Sequence, residues 1–206
     1  MHTILGIVGT AGRKQAQNLM TPAYYNNMIE TAKNIMKKHN ITTLVSGGAA
    51  FSDHVAVSLY LRGDATKLYL MLPESYDIKS RSFKKGHYGN ITNSLHHIFS
   101  EKCNVNSLDD IAIAIKNGAI IAGNDTPGFL TRNTWIAQKA THLLAFTSGM
   151  ALNEKVSEIG ITSEYPDSII KDNGTRDTWR KSINKYRIVS SIPLLKKQEN
   201  KNLLLL

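Results

Sequence analysis

The chain has 206 residues, 42% of them hydrophobic and 20% charged, which suits a single α/β domain with a sizeable core. No apolar run approaches the roughly 20 residues that span a bilayer, and Met1-His2-Thr3 leads directly into an apolar strand without the layout of a signal peptide. The single Cys103 excludes an intrachain disulfide and a cysteine-rich metal site, which fits a cytoplasmic setting. The net charge of +9 could draw nucleic acid, but the lysines are dispersed (Lys37-Lys38, Lys84-Lys85, Lys196-Lys197) and no basic block is interleaved with aromatics. A scattered, solvated charge is the favoured reading.

In chain order, apolar residues 3–8 predict a first strand, followed by the turn Gly9-Thr10-Ala11-Gly12-Arg13. A helix over 23–39 follows, with Tyr24, Met28, Ala32, Ile35 and Met36 at three- and four-residue spacing. Thr21 is its expected N-cap and Pro22 its first residue. Strand 41–45 runs into Ser46-Gly47-Gly48, and a helix over 52–63 ends at Gly63. A third strand, 67–72, stops at Pro73. Residues 75–105 lack a clear period and read as an insertion with one short helix near 90–99. Ser107-Leu108-Asp109-Asp110 resembles a capping box opening a helix that ends at Asn117-Gly118. After the loop 123–128 come a helix over 130–140, a strand 142–146 ending in Thr147-Ser148-Gly149, and a loop-rich stretch 150–172. A helix over 175–183 and a strand 186–189 close the domain, leaving 196–206 as a tail. Strands alternating with helices predict one domain over 1–195: a Rossmann-like, doubly wound, mainly parallel sheet with helices on both faces and a ligand at the carboxyl ends of its strands.

The two strand-to-glycine junctions are the main candidate ligand contacts. A strand ending in Ser46-Gly47-Gly48 before a helix offers backbone N–H groups to an anion, and the glycines allow close approach. Gly9, Thr10 and Gly12 form the other turn, which lacks both the third glycine of a dinucleotide fingerprint and the Gly-Lys-Ser/Thr of a Walker A loop. Arg13 beside it adds a guanidinium fork suited to phosphate. Asp53 reads either as a helix-start acid meeting the macrodipole or as a carboxylate beside a nucleotide. Arg132, early in a helix, calls for an anionic partner, either a phosphate or a structural carboxylate. His54, Trp135 and Trp179 read as packing residues. Arg81, Lys84, Lys85, His87 and Tyr88 suit a lid or a solvated loop equally. His96-His97 has no metal-ligand spacing, so neither a metal nor a cofactor is expected.

Taken together, the Gly-Thr-x-Gly turn after strand one and Val45-Ser46-Gly47-Gly48-Ala49-x-x-x-Asp53-His54 resemble the SLOG superfamily of Rossmann-like nucleotide binders. That superfamily includes the DNA-processing protein DprA and the LOG ("lonely guy") phosphoribohydrolases. Phe51 stands where the DprA branch usually has glycine, and Arg132-Asn133 before Thr141–Phe146 looks like the superfamily's Arg-Asn helix and fourth strand. The resemblance implies a nucleotide or nucleotide-derived ligand, homo-oligomerisation, and phosphate contacts from Arg132, Asn133, Ser148 and Gly149. LOG enzymes carry Pro-Gly-Gly-x-Gly-Thr-x-x-Glu after the fourth strand, which this chain lacks. Gly174 and Thr175 stand in for its phosphate turn, and Asp177 falls one position before its glutamate, with Glu74 and Glu154 as rivals. The expected activity is hydrolysis of the N-glycosidic bond of a nucleoside monophosphate or related nucleotide, with Asp53 or Asp177 as the carboxylate. A non-catalytic nucleotide sensor and a DprA-like single-strand binder are the alternatives, the latter weakened by the scattered charge.

Overall fold

The structure is a computed structural model that describes residues 3–122, 128–148, 156–161, 170, 173–183 and 185–192. Seven strands form one sheet: β1 (Ile4–Gly9), β2 (Thr43–Ser46), β3 (Lys67–Leu70), β6 (Ile120–Ile121), β7 (His142–Ser148), β8 (Val156–Ile161) and β9 (Tyr186–Ile192). Their order is β6-β3-β2-β1-β7-β9-β8, parallel except for the antiparallel edge strand β8. The chain winds outward from β1 to β6, then returns to place β7 on the other side of β1. The topological switch point therefore lies between β1 and β7, where open α/β sheets bind ligands.

Helices cover both faces, so the central strands are apolar on both sides. Leu5, Ile7, Leu44, Leu144 and Phe146 face one core, which α1 (Pro22–Lys38), α2 (His54–Leu61), α3 (His87–Cys103) and α4 (Ser107–Lys116) complete through Met28, Val55, Phe99 and Ile111. Val8, Val45, Leu143, Ala145 and Val189 face the other, which α5 (Phe129–Lys139) and α6 (Asn173–Lys181) close with Ile136 and Trp179. Thr21 caps α1 as expected, its hydroxyl accepting the Tyr24 N–H at 3.2 Å, with Pro22 as the first helical residue.

Several expectations need correction. Residues 75–105 are part of the fold: a ribbon of β4 (Tyr76–Asp77) and β5 (Ser82–Phe83) precedes the 17-residue α3. The buried face of α3 is Gly89, Thr92, His96, Phe99 and Cys103, a helical spacing that a purely apolar pattern misses. Asn106, not Ser107, occupies the N-cap of α4, while the Ser107 hydroxyl donates to the His96 carbonyl at 3.2 Å. The stretch 150–172 contains β8, and a 3₁₀ turn spans Lys14–Leu19. The loop 123–127, the tail 196–206, Gly149 and Glu154 lie outside the described residues.

The ends of β1, β7 and the approach to α2 meet at Gly9. The Thr10 N–H donates to the Phe146 carbonyl at 3.3 Å, and the Ser52 N–H donates to the Thr10 carbonyl at 3.4 Å. A Cβ on Gly9 would lie 2.6 Å from the Phe146 carbonyl oxygen and 2.6 Å from Ser52 Cβ. Backbone cannot yield as a flexible side chain does, so Gly9→Ala is expected to destabilise the fold by about 1–3 kcal/mol. Urea denaturation of the variant checks this; an unchanged midpoint would contradict the close approach.

Candidate active site

At the switch point lies a cavity of about 630 Å³. It is lined by the end of β1 (Val8, Gly9) and the following Thr10 with Ala49, Ala50 and Asp53; α5 contributes Phe129, Arg132 and Asn133, and the start of α6 contributes Asn173, Gly174 and Thr175. Thr92 and Leu95 of α3 form a further wall.

Asp53 sits at the N-cap position of α2, yet its side chain caps nothing. Instead Oδ1 accepts the Gly9 N–H at 3.2 Å, joining the helix start to the end of β1. The residue is 3% exposed, and its Oδ2 has no hydrogen-bond partner. Burial raises its pKa, opposed by Arg132 and by the amides of Gly9, Ala49 and Gly47. Its carboxylate thus reaches across to β1 and does not bond the first turn of its own helix.

Arg132 is the fourth residue of α5, and its guanidinium donates to Asn133 Oδ1 from Nε at 3.4 Å and Nη2 at 3.2 Å. Burial lowers its pKa and Arg13 adds to that, while Asp53 opposes it. Gly47 makes room for the pair: a Cβ there would lie 2.7 Å from Asp53 Oδ2 and 2.8 Å from both Cδ and Nε of Arg132.

Thr175, near the start of α6, is 3% exposed and its Oγ1 is a buried hydroxyl without a partner. Asn133 holds that helix start in place, its Nδ2 donating to the Gly174 carbonyl at 3.2 Å and to Asp177 Oδ2 at 3.1 Å.

Of the residues singled out from sequence, Gly9, Thr10, Arg13, Asp53, Arg132, Asn133, Gly174 and Thr175 meet in this cavity. Ser46, Gly47 and Gly48 stand behind its lining. The Ser46 hydroxyl donates to the Asp53 carbonyl at 2.8 Å, and the Gly48 carbonyl accepts from His96 Nε2 at 3.0 Å. Gly47 of that turn gives room to the Asp53 and Arg132 side chains. Gly12, at φ 71, also stands behind the lining and turns the chain toward Arg13. Asp177 lies outside the lining, its Oδ2 engaged by Asn133 and by Lys181 Nζ at 2.8 Å. Ser148 ends β7. Glu74 accepts the Ser75 N–H, and Arg81 pairs with Asp109 at 2.7 Å, so neither lines the cavity. Tyr88 packs edge-on against Phe129 with ring centroids 5.1 Å apart. Lys14, Phe129, Thr92 and Leu95 were not singled out; the spacing of three between Thr92 and Leu95 is the one sequence signal that pointed to a shared helix face.

His54 belongs to the core. Its Nδ1 meets the Tyr25 hydroxyl at 2.6 Å and its Nε2 meets the Ser107 carbonyl at 3.2 Å. Asp110 Oδ2 lies 3.6 Å from His54 Nε2, but burial lowers the histidine pKa to about 3 and raises that of Asp110 to about 6, helped by Asp109. At neutral pH the histidine is neutral, so this contact is no ion pair. Among the described residues no group of His, Cys, Asp and Glu could hold a metal ion, and no helix is long and apolar enough to cross a membrane.

The chain is 35% identical over 200 residues to an uncharacterized protein of Acanthamoeba polyphaga mimivirus, a match covering 92% of this chain and 97% of the viral protein. It belongs to the same family as that protein. No family model matches the chain.

A carboxyl group with a raised folded-state pKa contributes stability that is fully present below its unfolded value and is lost as pH rises through its folded value. For Asp110 the window runs from 3.8 to about 6. Asp110→Asn cannot ionise, so between pH 4 and pH 8 wild type should lose about 1–2 kcal/mol relative to this variant, less than the full shift because Asp110 is partly exposed. Paired urea titrations across that range measure the difference; parallel curves would contradict the raised Asp110 pKa.

Proposed function

We propose that this chain binds a nucleotide at the switch-point cavity and hydrolyses its N-glycosidic bond. One observation carries the reading: Asp53 and Thr175, whose buried Oδ2 and Oγ1 have no partners, line the same cavity as Arg132 and the start of α6. Unpartnered buried polar atoms are costly, and a ligand that bonds to them removes the cost. In this reading the helix start, Thr175 and the Arg132 guanidinium take the phosphate. The apolar wall at Leu95, with Thr92, takes the base.

Hydrolysis breaks the bond between ribose C1′ and the base nitrogen, whose electrons leave with the base. Positive charge develops at C1′, where a carboxylate stabilises it and takes a proton from the attacking water. That proton is then passed to the departing base, giving free base and the sugar phosphate. Asp53 suits this role because Gly9 fixes one oxygen and leaves the other free, while Arg132 keeps the ionised form accessible despite burial. The lone, buried Cys103 suits a reducing compartment, so the reading takes the protein as cytoplasmic.

Incubation with nucleoside 5′-monophosphates and chromatography of released base tests the reaction. Wild type should release base, and Asp53→Asn should be slower by about 10²–10⁴-fold while still binding. Tight binding with no release from any nucleotide would instead make the protein a nucleotide sensor.

A further inference from the structure

The cations of the cavity stand at two levels. Inside, Arg132 faces Asp53 and donates to Asn133. At the mouth, the exposed Arg13 and Lys14 line the same cavity, and neither pairs with a carboxylate among the described residues. Arg13 rests 5.1 Å from the Phe129 ring centroid and Arg132 rests 5.5 Å from the same centroid. Phe129 thus brings two guanidinium groups together, close enough that Arg13 lowers the pKa of Arg132. Like charges converging in a half-buried crevice repel, and the arrangement is favourable once an anion joins them. Asp53 offsets only one of the three.

A single phosphate at Thr175 and Arg132 answers the inner level and leaves Arg13 and Lys14 without an anion. We infer that the ligand carries a second phosphoryl group, placing it among nucleoside diphosphates and other pyrophosphate-bearing nucleotides. Arg13 and Lys14 hold the outer phosphate. The backbone is shaped to present them: Gly12 at φ 71 and Lys14 at φ 53 turn the loop after β1 across the mouth. The unpartnered Thr175 hydroxyl, on a residue lining the same cavity, marks the inner phosphate position independently. This inference rests on the nucleotide reading of the cavity.

The test is calorimetric titration of the full chain with AMP and ADP, without divalent metal, for wild type, Arg13→Gln/Lys14→Gln and Arg132→Gln. Wild type should bind ADP at least about tenfold more tightly than AMP. The Arg13→Gln/Lys14→Gln variant should bind the two alike, whereas Arg132→Gln should weaken both by a similar factor. Both mouth residues are exposed, and circular dichroism of the double variant checks that it remains folded. Equal wild-type affinities, or an ADP preference surviving the double change, would overturn the inference and leave the nucleotide reading standing. Binding of neither nucleotide would overturn both.

Discussion

Asp53 keeps a carboxylate 3% exposed at the carboxyl edge of the sheet, and its neighbours are arranged around the cost of holding a charge there. The Gly9 N–H satisfies one oxygen, Arg132 supplies opposite charge, and Gly47 gives up a side chain so that both can approach. The three contacts come from the end of β1, the start of α5 and the turn after β2. Asp53 therefore ties together the elements that form the cavity, and its Oδ2 has no hydrogen-bond partner.

A layer of buried polar groups supports this arrangement from below. His96 bonds the Gly48 carbonyl through Nε2 at 3.0 Å and the Ser107 hydroxyl through Nδ1 at 2.9 Å. Ser107 in turn meets His54, which meets Tyr25. Burial lowers the pKa of His96 to about 4, so it remains neutral and holds the turn without adding charge. The turn that presents Asp53 is thereby anchored to α3, whose sequence lacks a clear apolar period, and to α4. Asn133 does the equivalent on the opposite wall by fixing the start of α6.

The parallel architecture was readable because strands and helices alternate with ordinary punctuation, and the crevice rule pointed to the edge where the cavity lies. Asp53, Arg132 and Thr175, which line one cavity, were singled out because each follows or opens a turn of recognisable chemistry. That Gly47 gives room to two side chains was not readable, because Asp53 and Arg132 reach it from distant parts of the chain. Of α3 only a short helix near 90–99 was expected; its full length escaped because its core face is carried by Gly, Thr, His, Phe and Cys, so its period is steric rather than hydrophobic. β8 escaped because an edge strand with half-buried residues lacks a sharp alternation. Phe129 was overlooked because its importance lies in the two arginines that converge on it from distant parts of the chain.

A crystal structure of the chain grown with a nucleoside 5′-monophosphate tests the central claim most directly. The phosphate should lie against Thr175 Oγ1, the start of α6 and the Arg132 guanidinium, with ribose C1′ within reach of Asp53 Oδ2. A nucleotide bound elsewhere, or bound here with Asp53 Oδ2 and Thr175 Oγ1 still without partners, would contradict it.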